Sequence, residues 1–294
     1  MFRIDIKFHC DEKSNFKNGL LVHGFSYRDY EIPLHNHDFY EMNIVLSGTG
    51  VHTIENNVLS VTVGDIFVIP PMVAHAYKNT GGLEVYHVLF HKNFIEKLAQ
   101  NAKNVNGYLE LMEIEPFLRS NLSNPIFLHL NDVRMIELKY ELEFIEDEGK
   151  YSWEEYGELK YQTAKKLLFW LSALLYEQIK NTKKEKNKNE LQILSALEYI
   201  HKNYGEKITI DHLCEKSCMS RSTFIRSFVC VCGVSPIEYL NNYRLKKAEE
   251  LLKRGILTKT EVAHECGFYD LSHMKRTISK QNWNVHQKLN DELH

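Results

Sequence analysis

Between about Gly19 and Phe90 apolar and polar positions alternate in short runs: EMNIVLSGTG, VHTIENN, VLSVTVGDIFVIPP and GGLEVYHVLF. Alternation such as Val61 with Val63 and Ile66 with Val68 predicts strands that bury one face. Gly48/Gly50, Asn56-Asn57, Gly64-Asp65 and Gly81-Gly82 predict the hairpin turns between them. Several short strands at near-regular spacing predict a sandwich or small barrel. From about Phe94 to Lys180 the pattern takes the helical period, and Leu159, Gln162-Thr163, Lys166-Leu167, Trp170-Leu171 and Leu174-Leu175 form one stripe of a long helix. Such a helix, around residues 154–180, either packs on the barrel or pairs with a second copy of itself. Residues 180–190, KNTKKEKNKNE, hold five lysines and no apolar side chain. That composition predicts a solvated linker and a domain boundary.

The remainder predicts helices with dense punctuation. In ELQILSALEYIHKNY the residues Ile193, Leu197, Ile200 and Tyr204 share one face. Thr209 caps a short helix, a tight turn comes at Ser217 to Met219, and Ser220 caps a second helix, RSTFIRSFVCVCG. Ser235-Pro236 opens a long helix with proline at its first position, and Gly255 closes it. A shift of 50 residues then lays this segment on the C-terminal stretch of the chain: Asp211 on Glu261, Leu213 on Ala263, Ser220 on Asp270, Ser222 on Ser272, Phe224 on Met274, Arg226 on Arg276 and Phe228 on Ile278. Thr258 with Glu261 forms a capping box at the start of the second copy. Two helix-turn-helix units joined by one rigid helix can set two recognition helices about 34 Å apart on one face of a duplex.

Composition adds constraints. The chain has 294 residues, 44% hydrophobic and 26% charged, which suits two soluble globular domains. No run reaches the length of a membrane span and no apolar core opens the chain, so the expectation is a cytoplasmic protein without a membrane partner. Six cysteines in a chain of this length do not suggest a disulfide framework, and five of them fall inside predicted helices. Net charge is -3, split into about +2 from residue 190 onward and about -5 before it. That balance is far from a strongly basic domain, so DNA binding must be argued from pattern.

The pattern carries it. ITIDHLCEKSCMSRSTFIRSFVCVCGVSPIEYLNNYRLKKAEELL followed by EVAHECGFYDLSHMKR resembles the DNA-binding domain of AraC-type transcription regulators over about 100 residues. The resemblance implies that Arg221, Ser222, Ile225 and Arg226 face bases and phosphates from the first recognition helix, with Phe224 and Phe228 in the core. Ser272, Lys275 and Arg276 take those places in the second. The chain departs from the family at Cys218, where a turn glycine is usual, at Val229-Cys230, where a basic pair is usual, and after the second recognition helix, TISKQNWNVHQKLNDELH. The first two changes and the last should lower non-specific affinity or loosen the second module.

LHNHDFYE, residues 34–41, supplies His35, His37 and Glu41, and Gly64 to Asn79 supplies His75. Together they resemble both motifs of cupins, with Met72 where the second motif usually has glycine. In such a barrel His35, His37, Glu41 and His75 would converge, an N3O set suited to a divalent metal, although none is required for sensing. Tyr77 could offer its ring to a sugar. The expectation is an α+β two-domain protein. Residues 1–180 form a cupin-like β-barrel with a helical dimerisation segment, 181–189 the Lys/Asn-rich linker, and 190–294 an all-α domain with two helix-turn-helix units joined by a long helix. It would be a homodimeric, DNA-binding regulator and not an enzyme, an activator meeting RNA polymerase, with His35, His37, Glu41, His75 and Tyr77 binding a small effector, a sugar or related metabolite. The alternative is a metal-dependent cupin enzyme with an appended helical domain.

Overall fold

The computed structural model describes residues 6–8, 20–23, 31–55, 57–102, 104–121, 127–147, 150–182 and 188–280. Asn56, most of the lysine-rich linker and the segment after Lys280 lie outside these residues. The chain divides into two compact units, Met1–Lys186 and Asn187–His294.

The first unit is built on one eight-stranded sheet: β1 (Ile6–Phe8), β2 (Leu20–His23), β3 (Ile32–His37), β4 (Tyr40–Ile54), β5 (Asn57–Thr62), β6 (Asp65–Ile69), β7 (His75–Phe90) and β8 (Leu128–His129). Strands β4 and β7 run antiparallel along their whole length, from Tyr40 beside Phe90 to Ile54 beside His75. The glycines expected to end hairpins at Gly48/Gly50 and Gly81-Gly82 therefore lie inside these two long strands, where the register shifts. Gly48 has φ +72° and a Cβ there would collide with the Gly82 carbonyl, so the pair lets two strands bend past each other.

Cross-strand partners share a face. One face carries Glu41, Asn43, Val45, Phe67, Ile69, Val85 and His87, and the opposite one carries Met42, Ile44, Ile66, Val68, Tyr86 and Val88. Strand β6 is buried throughout, not on one face as its alternation suggests, because α2 (Glu115–Asn121) packs on its other side. Val63 is correspondingly a turn residue, 44% exposed. The remaining helices of this unit are α1 (Lys92–Asn101), α3 (Asp132–Glu146) and α4 (Trp153–Thr182), with a π-helical turn at Glu110–Ile114 leading into α2.

Helix α4 buries Leu167, Leu171 and Leu175 completely, so the predicted stripe is covered within the unit, although Leu159 is exposed. Helix α3 is apolar on two opposite faces. Met135, Leu138, Leu142 and Ile145 are buried, whereas Val133, Ile136 and Tyr140 point away, 65%, 56% and 70% exposed. The buried Lys160 of α4 donates to the Ile145 and Asp147 carbonyls at 2.9 and 3.2 Å and so closes the C-terminal end of α3.

The second unit contains α5 (Lys188–Asn203), α6 (Ile210–Ser217), α7 (Arg221–Cys232), α8 (Pro236–Arg254), α9 (Lys259–Glu265) and α10 (Leu271–Lys280). Helices α4 and α5 run into the predicted linker from both sides, to Thr182 and from Lys188, since its Lys and Glu residues are good helix formers. Every expected cap is present: Thr209, Ser220, Ser235 and the Thr258–Glu261 capping box accept from their helices' first turns, and Asp270 accepts from the His273 amide. The repeat is not uniform. The caps Thr209 and Thr258 are 49 residues apart, while Ser220 and Asp270 are 50 apart. The second copy thus holds one residue more from cap to cap, its first helix being one residue shorter and its turn two residues longer, and Cys214 and Cys230 lie in helices while Cys218 and Cys266 end them. Arg244 of α8 donates to the Tyr204 and Glu206 carbonyls at 2.8 and 2.7 Å, tying the bridging helix to the end of α5. No single helix among the described residues is long and apolar enough to cross a membrane.

Candidate functional site

The sheet brings His35, His37, Glu41 and His75 together, all buried. Nδ1 of His35, His37 and His75 lies 2.9, 2.9 and 3.1 Å from the backbone carbonyls of Pro33, Phe39 and Val73. A carbonyl only accepts, so each Nδ1 is the donor and each Nε2 is left as the acceptor of its ring. His37 Nε2 sits 3.0 Å from Glu41 Oε2, and His75 Nε2 sits 3.8 Å from Oε1. Ligand atoms of His35, Glu41 and His75 lie within 4.8 Å of one another. A lone pair facing a carboxylate at 3.0 Å calls for a proton or a cation between them. The imidazole acceptors of His35 and His75 with the Glu41 carboxylate are a donor set that fits a divalent metal, and the backbone bonds on the far nitrogens are the outer support such ligands use; His37, expected as a fourth ligand, reaches Glu41 but falls outside this group.

Electrostatics sharpen the picture. Burial alone would raise the Glu41 carboxyl. The charge and hydrogen bond of His87, whose Nδ1 donates to Oε1 at 2.8 Å, together with His37, outweigh it and hold Glu41 well below the usual carboxylate range. Burial pushes His75 down to about 3, and pushes His35 down as well. In His52, burial and then the nearby Arg119 guanidinium act in the same direction, well below the ordinary imidazole value.

The expected site misses half of its neighbourhood. His52 is fully buried, stacked on Phe67 and Tyr77 at 4.8 and 4.7 Å between ring centres. Asn43 is fully buried on the same face as His87 and Phe67. Tyr77, a candidate to meet a sugar with its ring, is 4% exposed and is a wall of this cluster. Helix α2 contributes Glu115 and Arg119, 2% and 1% exposed, paired at 2.7 Å, with the guanidinium 3.9 Å from the Phe67 ring centre. Both ring nitrogens of His52, both amide atoms of Asn43, Glu115 Oε2 and Arg119 Nη2 have no hydrogen-bond partner among the described residues. Each such atom costs about 1–3 kcal/mol when left dry. Strand alternation from Glu41 and Val85 could have marked Asn43 and His87 as inward. No periodic signal points to Arg119.

In the second unit, Phe224, Phe228, Met274 and Ile278 are buried, and Arg221, Ser222, Arg226, Ser272 and Arg276 are exposed. Ile225 is 37% exposed and Lys275 is half-buried. Arg221 is paired with Asp211 at 2.7 Å. Arg276 lines a cleft of about 380 Å³ with Ser235, Glu238, Asn241 and His273. Tyr269, in the longer second turn, is 83% exposed beside the start of α10.

Residues 18–122 match the family described as AraC-like ligand binding domain, and residues 213–282 match a helix-turn-helix domain family. The HTH-type transcriptional activator RhaS of Escherichia coli O139:H28 is 25% identical over 262 residues, covering 86% of each chain. Among solved structures, ToxT from Vibrio cholerae is 14% identical over 93% of this chain and 97% of its own, with a TM-score of 0.35. The DNA-binding domain of AdpA, solved with a target DNA, is 27% identical over 33% of this chain and 84% of its own, with a TM-score of 0.29. Those two superpositions are too loose to bear on function.

Proposed function

Since the chain belongs to the AraC-type transcription regulators and joins a ligand-binding domain to a DNA-binding helix-turn-helix domain, we propose that it activates transcription in response to a small hydroxylated effector, a sugar or related metabolite. The observation that carries this is the duplicated, fully capped helix-turn-helix pair on one bridging helix, with apolar side chains inward and Arg226 and Arg276 repeated in phase outward. In this proposal Arg221, Ser222, Ile225, Arg226, Ser272, Lys275 and Arg276 contact the duplex, and an arginine reading guanine contributes about 1–3 kcal/mol. Activation rests on the similarity to RhaS, itself a transcriptional activator, and implies RNA polymerase as a partner in the cytoplasm. The test is selection of a binding site from random duplexes, followed by titration at increasing salt. Arg226→Ala should weaken binding about tenfold or more and relax one base pair; unchanged affinity and preference would remove the first recognition helix from the DNA.

The effector is proposed to reach His35, His37, Glu41, His75 and Tyr77. The His35, Glu41 and His75 group, with His37 beside Glu41, also supports a divalent metal there as a structural or ligand-orienting ion. Zinc, iron, manganese and nickel fit such donors, and a catalytic cupin would use the same set with open positions. Metal content of the purified chain, before and after chelator, decides it: stoichiometric metal whose removal lowers the melting temperature supports the ion, while no metal uptake in His35→Ala and wild type alike removes it. Turnover of a substrate without DNA would favour the enzyme.

The homodimer of this proposal pairs the outward faces of α3, not α4. Its support is that α3 carries Val133, Ile136 and Tyr140 opposite its buried face, and a surface helix with two apolar faces lacks one neighbour. Ile136→Glu with Tyr140→Glu should convert a dimer to a monomer in analytical ultracentrifugation.

A further inference from the structure

The four side chains Asn43, His52, Glu115 and Arg119 belong to neither helix-turn-helix nor metal-type motif, yet among the described residues they leave six buried polar atoms without a hydrogen-bond partner. Their chemistry is specific. Arg119 Nε donates to Glu115 Oε1 at 2.7 Å, which makes one leg of the two-legged fork that arginine and a carboxylate usually form. The other leg, Nη2 and Oε2, is open. The same doubling recurs nearby. The Asn43 amide offers a donor nitrogen and an acceptor oxygen, and His52, held neutral by burial, offers one nitrogen of each kind.

A group that satisfies an open donor beside an open acceptor must itself accept and donate. A hydroxyl does both. A carboxylate only accepts and would meet Glu115; an ammonium only donates and would meet Arg119. The ion pair is already neutral as a unit, so it calls for neither an anion nor a cation. Phe67 links the groups, since both the Arg119 guanidinium and the His52 ring lie against it, and Phe67 and Tyr77 supply flat apolar faces for C–H groups.

We propose that Asn43, His52, Glu115 and Arg119 form the recognition site for a neutral polyhydroxylated effector, with one hydroxyl bridging Arg119 and Glu115 and others meeting His52 and Asn43. This rests on the reading of the first unit as the effector-binding half, and it names the effector's class and four residues outside the cupin-like motif. Two of them stand on α2, so the effector is held jointly by the sheet and by the helical segment after it.

The test uses the full chain and thermal denaturation with the common aldopentoses, aldohexoses, 6-deoxyhexoses and inositols, alongside their uronic acids and amino sugars. A neutral member should raise the melting temperature, and His52→Phe and Arg119→Met should each weaken its binding at least tenfold in calorimetry. Where Arg119→Met does not fold, Asn43→Leu takes its place with the same expectation. Stabilisation by acids or amines alone, no stabilisation by any neutral member, or affinities within twofold of wild type in the folded variants would overturn the site. DNA binding by each protein is measured in parallel. Wild type that binds the selected duplex but no polyol sinks this site and leaves the regulator intact; wild type that binds a polyol through His52 but no duplex sinks the regulator alone.

Discussion

The two units differ in how much polar chemistry they bury beside an apolar core. The helical unit keeps a plain apolar interior, with Leu245, Ala248, Val262, Ala263, Cys266, Phe268, Met274 and Ile278 forming one cluster, and sends its functional groups outward. The barrel unit keeps His35, His37, Glu41, Asn43, His52, His75, His87 and Arg119 inside. Packing and function are separate in the first case, so recognition residues there can change without disturbing the fold. In the second they compete for the same volume, and each polar group that serves a ligand is withheld from the core.

The strongest test of the apolar interior is Phe228→Ala, at a fully buried ring packed on Phe224 and Tyr239. A cavity of that size should cost about 3–5 kcal/mol. Urea unfolding followed by circular dichroism would register it, and DNA binding should fall with the fold. In the barrel the matching change, His52→Phe, removes two unpartnered nitrogens and should leave stability unchanged or raise it by about 1 kcal/mol. If both substitutions proved equally damaging, the contrast between the interiors would fail.

Acid should separate the units next. His75 is held down at about 3 and His52 well below its ordinary value, so the folded barrel binds fewer protons than the unfolded chain below the usual imidazole range. Stability from these groups is therefore complete above about pH 6.5 and is lost as pH falls, by up to about 1.4 kcal/mol per pH unit for each histidine. Glu41, whose carboxyl is also depressed, extends the loss in the same direction below its ordinary range. Metal-free protein at pH 5.5 should thus have a barrel weaker by about 3 kcal/mol than at pH 7, and His52→Phe should remove about half of that slope. A slope unchanged in His52→Phe would place the sensitivity elsewhere.

How much of this could be read from the chain depends on the same division. Caps, turns and the inward phenylalanines of the helical unit were legible because helical signals are local: a Ser or Thr and the residue three positions on suffice. The barrel was legible as strands and as a histidine-carboxylate motif. Its two long bent strands were not, since a glycine that ends a hairpin and a glycine that lets strands cross look alike in sequence. Nor was Arg119, more than 60 positions from His52, because contacts between a helix and a distant strand leave no periodic trace.

The smallest effect compares the two turns of the repeat. In the first, Cys218 sits in the left-handed region at φ 52°; in the second that conformation falls on Gly267 at φ 77°, one position earlier relative to the next cap. A side chain costs about 1 kcal/mol there and glycine does not. Cys218→Gly should therefore stabilise the helical unit by about 0.5–1 kcal/mol, reduced by the freedom glycine adds to the unfolded chain. Gly267→Ala should do the opposite and more strongly, because its Cβ would press on the Tyr204 carbonyl and on Arg244, the residue that ties α8 to α5. Denaturant midpoints of the two variants, with DNA affinity measured alongside, give the comparison. Equal and opposite shifts would mean that left-handed geometry alone distinguishes the turns, whereas a larger loss at Gly267 would show that the second turn is also fixed by its contact with the bridging helix.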